Sequence, residues 1–435
     1  MKQISKQTVK CIAKPIVKPF VVMVMLAISS AGVAAVSDQQ FQQLLDQVNK
    51  MNARLEKLEQ ENASLKQSNT ELRQTNTATA EKTSKIEDTL VLVEQQVEAT
   101  SWAEKIRWKG DFRPRYEYID AEGSGSRNRN RIRARAELIA EINPEVMVGI
   151  GLASGSESPV STNQSLGAGG TTKNLSLDLA YFDWKATENL AVGGGKFKNP
   201  IKRTGGHALL MDSDWRPEGV NLRWENNNLF VNSMFNYFEG DSNRGTKPSY
   251  FVQAGITLQP VDAVRLKIGA GYSVMNAAGY SSFFGDDDFF GNSFNPLSMR
   301  YRYNYNVLQG FAELGFSLFG LPVLIFADII HNSEAPINND GYAVGFRLGK
   351  VKKPGEWDVR LAYQNLEADS TFGLITDSDF GGGGTDVRGY IFRGGYGIAK
   401  NWSANMTYIH SQNDLASGKP RDFNRLHLDL NFKFK

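Results

Sequence analysis

One cysteine, Cys11, and four histidines are all that the 435 residues hold of those two metal-binding side chains. Cys11 lies ahead of an apolar segment that reads as the core of a secretory signal. The processed chain therefore has no thiol and is closed to disulfides and to Cys-based metal sites. His207, His331, His410 and His427 show no metal-binding spacing. A surplus of one charge is also missing. The 49 Lys and Arg against 47 Asp and Glu leave a net +2, which argues against a general nucleic-acid binder. No uninterrupted apolar stretch of helical-span length follows residue 36. That excludes a transmembrane helix there but not a membrane barrel, whose hydropathy signal is weak per segment. Catalytic motifs are lacking too. His207 and Ser213 have no nucleophile motif around them, and "VGGGK" (192–196) lies in a strand pattern without the spacing or helix of a phosphate-cradling loop. The expectation is a non-enzyme without cofactor or metal.

What is present falls into three parts. Residues 1–36 read as a signal peptide. Lys2, Lys6, Lys10, Lys14 and Lys18 precede the apolar "FVVMVMLAI" (20–28), and small residues follow, with cleavage expected near Ala34 or Ala35. Residues 38–100 read as a coiled coil, with one heptad register unbroken over 41–97. Its a positions run Phe41, Val48, Leu55, Asn62, Asn69, Asn76, Thr83, Leu90 and Val97. Its d positions run Leu44, Met51, Leu58, Leu65, Leu72, Thr79, Ile86 and Val93. Pro and Gly are absent from the span, whose helix would be roughly 85 Å long at about 1.5 Å per residue. A lone amphipathic helix is marginal in water, so this segment implies self-association, a trimer being favoured over a dimer. The polar seam from Asn62 to Thr83 is the best argument for the alternative, a surface helix.

From about residue 105 onward the period changes from helical to two. "RNRNRIRARAELIA" (127–140) puts Arg127, Arg129, Arg131, Arg133 and Arg135 on one face of a strand. Alone, that column fits a wet face of a soluble sheet, a nucleic-acid-binding strand, or a barrel wall with a water-filled lumen. The rest of the chain favours the barrel. Sixteen segments carry the same two-faced pattern, "LHLDLNFKF" (426–434) most clearly: 110–119, 129–141, 145–153, 174–184, 189–198, 218–226, 228–238, 248–258, 263–275, 302–317, 322–332, 340–350, 355–366, 386–398, 401–411 and 423–434. Short turns alternate with long Gly/Ser/Asn/Asp-rich connections at 154–173, 199–217, 276–301, 367–385 and 411–422, the asymmetry of an outer-membrane barrel. The expected fold over 105–435 is an all-β, antiparallel transmembrane barrel of about sixteen strands, its ionic face turned to a wet lumen with no apolar interior left over. Trp102, Trp108, Tyr116, Tyr118, Tyr181, Trp184, Trp402, Phe432 and Phe434 are expected in interfacial girdles. Pro114, inside the first strand, calls for a bulge or a later strand start.

"GDFRPRYEY", "RNRIRARAEL", "ASGSESPVSTNQSLG" (153–167), "LSLDLAYFDW" (175–184), "VGGGKFKNP" (192–200) and "LLMDSDWRPEGVNLRWE" (209–225) together resemble the bacterial putative porin family of outer-membrane channels. The resemblance implies a pore for passive diffusion of small hydrophilic solutes and ions in the outer membrane of a Gram-negative bacterium. It also puts the coiled coil in the periplasm. In general porins the third outer loop folds into the lumen. By that resemblance Lys202, Arg203, Asp212 and Asp214 belong to a constriction, the two aspartates facing the arginine column. Arg113, Arg115, Arg129, Arg131, Arg133, Arg135, Lys196, Lys198, Arg265 and Lys267 are the expected pore-lining selectivity residues, and the balance predicts weak anion preference. Expected partners are further copies of the chain, outer-membrane lipid and peptidoglycan, and no nucleic acid. The rival role is structural, an outer-membrane anchor whose coiled coil tethers the envelope to the cell wall.

Overall fold

A computed structural model describes residues 38–240, 245–284 and 287–435. The expected signal peptide lies outside them. Two units result. The first is built on a single α-helix, α1 (Asp38–Glu104). Its heptad leucines are exposed, from Leu44 and Leu55 to Leu72 and Leu90. In its polar middle the hydroxyls of Thr75, Thr79 and Thr83 donate to the carbonyl four residues back. Such bonds satisfy Thr within a helix without any packing partner.

The second unit is a closed antiparallel barrel of sixteen strands: β1 (Ile106–Ala121), β2 (Gly125–Glu141), β3 (Val146–Ser154), β4 (Leu175–Lys185), β5 (Leu190–Lys196), β6 (Glu218–Asn226), β7 (Leu229–Glu239), β8 (Lys247–Val261), β9 (Val264–Met275), β10 (Tyr305–Leu318), β11 (Leu321–Asn332), β12 (Asp340–Gly349), β13 (Trp357–Leu366), β14 (Val387–Ala399), β15 (Trp402–Asn413) and β16 (Arg421–Phe434). Each strand pairs with the next, and β1 closes on β16 from Gly110↔Phe434 to Ala121↔Phe423. The sixteen expected segments coincide with these within a few residues. Closure removes every free edge, the condition for strands to span lipid. Turns are tight at one rim. At Phe319–Gly320 both residues take positive φ, 50° and 78°, the two-residue turn whose twist matches antiparallel strands. Connections at the other rim are longer on the whole. Four of them matter below: L2 (155–174), L3 (197–217), L5 (276–304) and L7 (367–386).

Period two sorts the side chains as expected outside. Trp108, Phe112, Tyr116, Trp184, Tyr342, Trp357 and Phe434 stand outward and exposed. Tyr181 departs from the girdle. It turns inward over Gly149, where an added Cβ would come within 2.4 Å of its ring, and donates to Glu137 Oε1 at 2.8 Å. Trp102's side chain is not among those described. Pro114 needs neither bulge nor later start. The β1–β16 ladder passes from Phe112↔Phe432 to Arg115↔Asp429 with register kept, leaving the residue without an N–H at a gap.

The interior departs most from expectation, because it is not wholly ionic. Met234, Phe251, Tyr305, Phe326, Leu366 and Ile391 on the wall pack against Leu209, Met211 and Trp215 of L3, Phe289 of L5, and Phe372 and Ile375 of L7. The physical reason is that loops folding into a lumen bring backbone and apolar side chains with them. These must be buried against an apolar stretch of wall. Asn292 of L5 locks the assembly. Its amide donates to the carbonyls of Ala368 and Thr371 at 2.7 and 2.8 Å and accepts from Gly373 N at 2.8 Å.

Candidate lumenal constriction

L3 enters the lumen after β5 and crosses it. Wall residues hold its backbone. Gln253 of β8 accepts from Lys202 N at 2.9 Å and donates to Lys202 O at 2.9 Å, and Glu313 of β10 accepts from Gly205 N at 2.7 Å. His207 lies buried against the Phe326 ring with Nε2 2.5 Å from Gln364 Oε1. Burial, then the nearby Arg393 charge, lowers its pKa to about 4. The far end of L3 is sewn to L7. Asp212 N donates to Ile375 O at 2.7 Å, and Ser378 N donates to Asp212 Oδ2 at 3.1 Å.

Opposite stands the charged wall of β1, β2 and β16. Pairing explains its order. Arg135 lies across from Asp111 and Arg129 across from Glu117, but Arg133 faces Arg113 and Arg131 faces Arg115. Like charges directly opposite are destabilising, so acids must be shared around. Asp111 bridges Arg133 and Arg135 at 2.8 Å each. Glu117 binds Arg129 and also Arg131 at 3.4 Å. Arg115 holds Asp429 through two contacts, 2.7 and 2.9 Å, and Asp379 of L7 at 3.2 Å. Asp379 also takes Arg425 at 3.0 Å.

Asp214 of L3 contacts the column directly, 3.0 Å from Arg135 and 3.9 Å from Arg133. The two sets of charge are thus ion-paired at that point rather than separated by open water. Asp212 is 2.7 Å from the Asp214 amide and makes no ion pair among the described residues. The four loop acids split in two. Burial, then the charges of Asp377 and Asp214, pushes Asp212 well above the ordinary carboxylate range; burial and then Asp379 raise Asp377. Burial also opposes ionisation of the other two, but neighbouring cations win. Arg135, Arg133 and Arg216 hold Asp214 down, and His427, Arg115 and Arg425 hold Asp379 well below.

Other expected site residues scatter. Lys198 reaches Glu137 at 2.5 Å, and Lys196 pairs with Glu218 at 2.6 Å nearer the loop rim. Lys202 belongs to L3 but turns to the wall, over the Phe230 ring and 3.4 Å from Glu225. Lys267 binds Glu313 at 2.6 Å and so acts on L3 through the acid that holds Gly205. Arg265 is exposed and makes no ion pair among the described residues, and the constriction does not include it. Missed beforehand were Asp377, Asp379, Arg216, Arg393 and Arg425. Arg425 was readable, since it shares the inward face of β16 with His427 and Asp429. The L7 acids follow no period. Glu117, Asp379 and His427 also bring one ligand atom each within 4.8 Å of one another, which sequence spacing did not suggest. Both carboxylates are already bound by guanidiniums, so a cation would have to displace arginine.

Two cavities meet at the constriction. One, about 600 Å³, runs from Lys109 and Lys435 to Arg133, Arg135, Arg203 and Asp212. The other, about 310 Å³, opens beside Glu157, Trp215 and Phe284. Asp178, Asp214 and Arg216 line both and form the neck, with Arg216 Nε 3.2 Å from Asp178.

The family described as "Putative porin" matches residues 120–312 and 294–434. No curated protein matches the chain. Among solved structures, Pseudomonas putida OprB at high pH superposes with TM-score 0.53 at 10% identity, covering 77% of this chain and 96% of its own. A mutant Rhodopseudomonas blastica porin gives TM-score 0.45 at 10% identity, covering 76% of this chain and 100% of its own. The first shares the barrel fold, and the family match spans most of the barrel. The chain belongs to the putative porin family, a β-barrel porin channel of the outer membrane.

Proposed function

We propose that the barrel is a water-filled diffusion pore for small hydrophilic solutes and ions, with weak preference for anions. The observation that carries this reading is the charge at the constriction. Arg113, Arg115, Arg129, Arg131, Arg133 and Arg135 share one wall, joined by Arg203, Arg216, Arg393 and Arg425. Of the facing loop acids, Asp212 and Asp377 are biased toward their neutral forms. An uncompensated positive lining in a low-dielectric wall favours anions. The ion pairs at Asp111, Glu117 and Asp214 keep the preference weak. The test is the reversal potential in a salt gradient across a planar bilayer. Chloride preference is expected in the wild type and a smaller one in Arg131→Ala plus Arg133→Ala. Cation preference that this double substitution leaves unchanged refutes the assignment.

The exposed heptad seam of α1 supports assembly of several copies through a periplasmic coiled coil, a trimer by preference; the alternative role is a tether to peptidoglycan. Deleting 38–98 separates the roles. Persisting conduction with weakened oligomers supports the pore; blebbing of the envelope supports the tether.

A further inference from the structure

Arg203 and Arg393 stand out among the lumenal cations. Arg203, on L3, makes no ion pair or side-chain hydrogen bond among the described residues. Arg393, on β14, has a single 3.7 Å contact with Asp377. The two charges act on each other, and both line a third cavity of about 260 Å³. Arg113 lines it as well, with Nε buried and unpartnered and its nearest acid, Asp429, 4.0 Å away.

Neighbouring acids do not meet this demand. Asp214 is engaged by Arg135, and Asp379 by Arg115 and Arg425. Asp212 and Asp377 are the remaining acids near the pair, and burial drives both toward protonation. Arg203 without an ion pair and Arg393 with one 3.7 Å contact, lining the same cavity, form a site that an anion completes. Besides these arginines and the ion-paired acids Asp214, Asp379 and Asp429, the lining offers neutral polar groups from Ser213, Asn405, Thr407 and Asn431.

We propose that this cavity is a binding station for a small hydroxylated monocarboxylate, its carboxylate held between Arg203 and Arg393 and its hydroxyls by Asn405, Thr407 and Asn431. The planar fork of arginine matches a carboxylate edge to edge. A single negative charge suits two guanidiniums that keep one weak contact with Asp377, whereas a dianion would crowd Asp214 and Asp379. Because Arg203 belongs to L3 and Arg393 to the wall, the bound solute also pins the loop across the lumen and slows chloride. This inference rests on the pore reading.

The experiment is planar-bilayer recording of the purified full chain in fixed KCl, titrated with sodium lactate, with sodium phosphate and glycerol as comparators. Lactate is expected to reduce the chloride current saturably, and glycerol is not. The half-blocking concentration rises about tenfold in Arg203→Gln and in Arg393→Gln, the loss of about one charge-assisted hydrogen bond. Arg388→Gln, on the outer face of β14, leaves it unchanged. Heat-modifiable migration on a gel verifies that each variant forms its barrel. Where a glutamine variant does not, Arg→Lys at the same position keeps the charge and loses the fork, and a weaker block is expected. A non-saturating effect, or block that survives both substitutions, overturns the site. Phosphate block of equal strength and equal dependence on Arg203 and Arg393 overturns the carboxylate assignment. Failure of the wild type to conduct overturns the pore reading itself.

Discussion

Asp379 is the carboxylate on which the charged wall and L7 most depend, and Asp379→Asn tests that dependence. It accepts from Arg115 at 3.2 Å and Arg425 at 3.0 Å, each with a side chain only 5% exposed. Removing one partner of a buried ion pair costs about 3–5 kcal/mol, because the other charge is left uncompensated. The low end applies here. Arg115 keeps both contacts with Asp429, at 2.7 and 2.9 Å, and Arg425 keeps the carbonyls of Ser378 and Asp379 at 3.2 and 2.8 Å. A loss of about 3 kcal/mol raises the opened population of L7 on the order of 100-fold. Hydrogen exchange reads this directly at Ile375, Thr376, Gly383 and Thr385, whose amides bond within or beside L7. Exchange there should accelerate by about that factor while the β1–β16 ladder stays protected. Asp377→Asn is the contrast. Its carboxyl is biased toward neutrality and accepts from the Asp379 amide at 2.9 Å, a bond Asn can keep, with its one arginine contact at 3.7 Å, so exchange should change little. Equal exchange in Asp379→Asn and wild type would refute the buried-pair reasoning. An equally large effect from Asp377→Asn would refute the assignment of which acid carries charge.

His207 gives L3 an acid sensitivity of definite sign. Its pKa falls from an ordinary value near 6.5 to about 4 in the fold. The neutral ring is thus the folded form; its contribution is complete above about pH 6.5 and is lost as pH falls toward 4. The full shift corresponds to about 3 kcal/mol. Current noise from L3 should rise over that window and lose its pH dependence in His207→Gln; noise that ignores pH in the wild type contradicts this. Gly149→Ala should impair barrel formation, since the new methyl meets the Tyr181 ring at 2.4 Å and overpacking costs about 1–3 kcal/mol. Unaltered heat-modifiable migration and an intact Tyr181–Glu137 bond would count against it.

Strands were legible because each must show lipid a greasy face and the lumen a wet one, and period two records that along the chain. The arginine column was legible for the same reason, and so was the passage of L3 into the lumen, by resemblance. What period cannot record is where an irregular loop comes to rest. Asp377 and Asp379 sit two residues apart in L7, yet one has a single arginine contact, at 3.7 Å, and the other is held by two arginines. Only the fold brings Arg115 and Arg425 to the second. The apolar interior was missed on similar grounds. Met234, Phe251 and Ile391 lie at inward positions of their strands and read as exceptions to a polar face until L3, L5 and L7 are seen packed against them. Tyr181 reads as a girdle aromatic until its bond to Glu137 turns it inward.

Selectivity in a wall so nearly charge-matched depends on which acids are ionised, and that makes it a function of pH. At Asp111, Glu117, Asp214 and Asp429 the arginines lie within ion-pairing distance, and these pairs cancel much of the column. The surplus at Arg203 and Arg393 grows as Asp212 and Asp377 lose charge, and burial raises the pKa of both. A carboxyl with a raised pKa gains its charge as pH rises through that value. Alkaline solution therefore adds negative charge beside Arg203 and Arg393 and erodes the preference for anions, while mild acid preserves it. The measurement is the reversal potential in a fixed KCl gradient, stepped from mildly acidic to alkaline solution. The wild type should move toward cation selectivity as pH rises. Asp212→Asn plus Asp377→Asn should stay anion-preferring throughout. If the wild-type potential is flat across the range, or the double variant follows it, the charge surplus does not arise at these two acids.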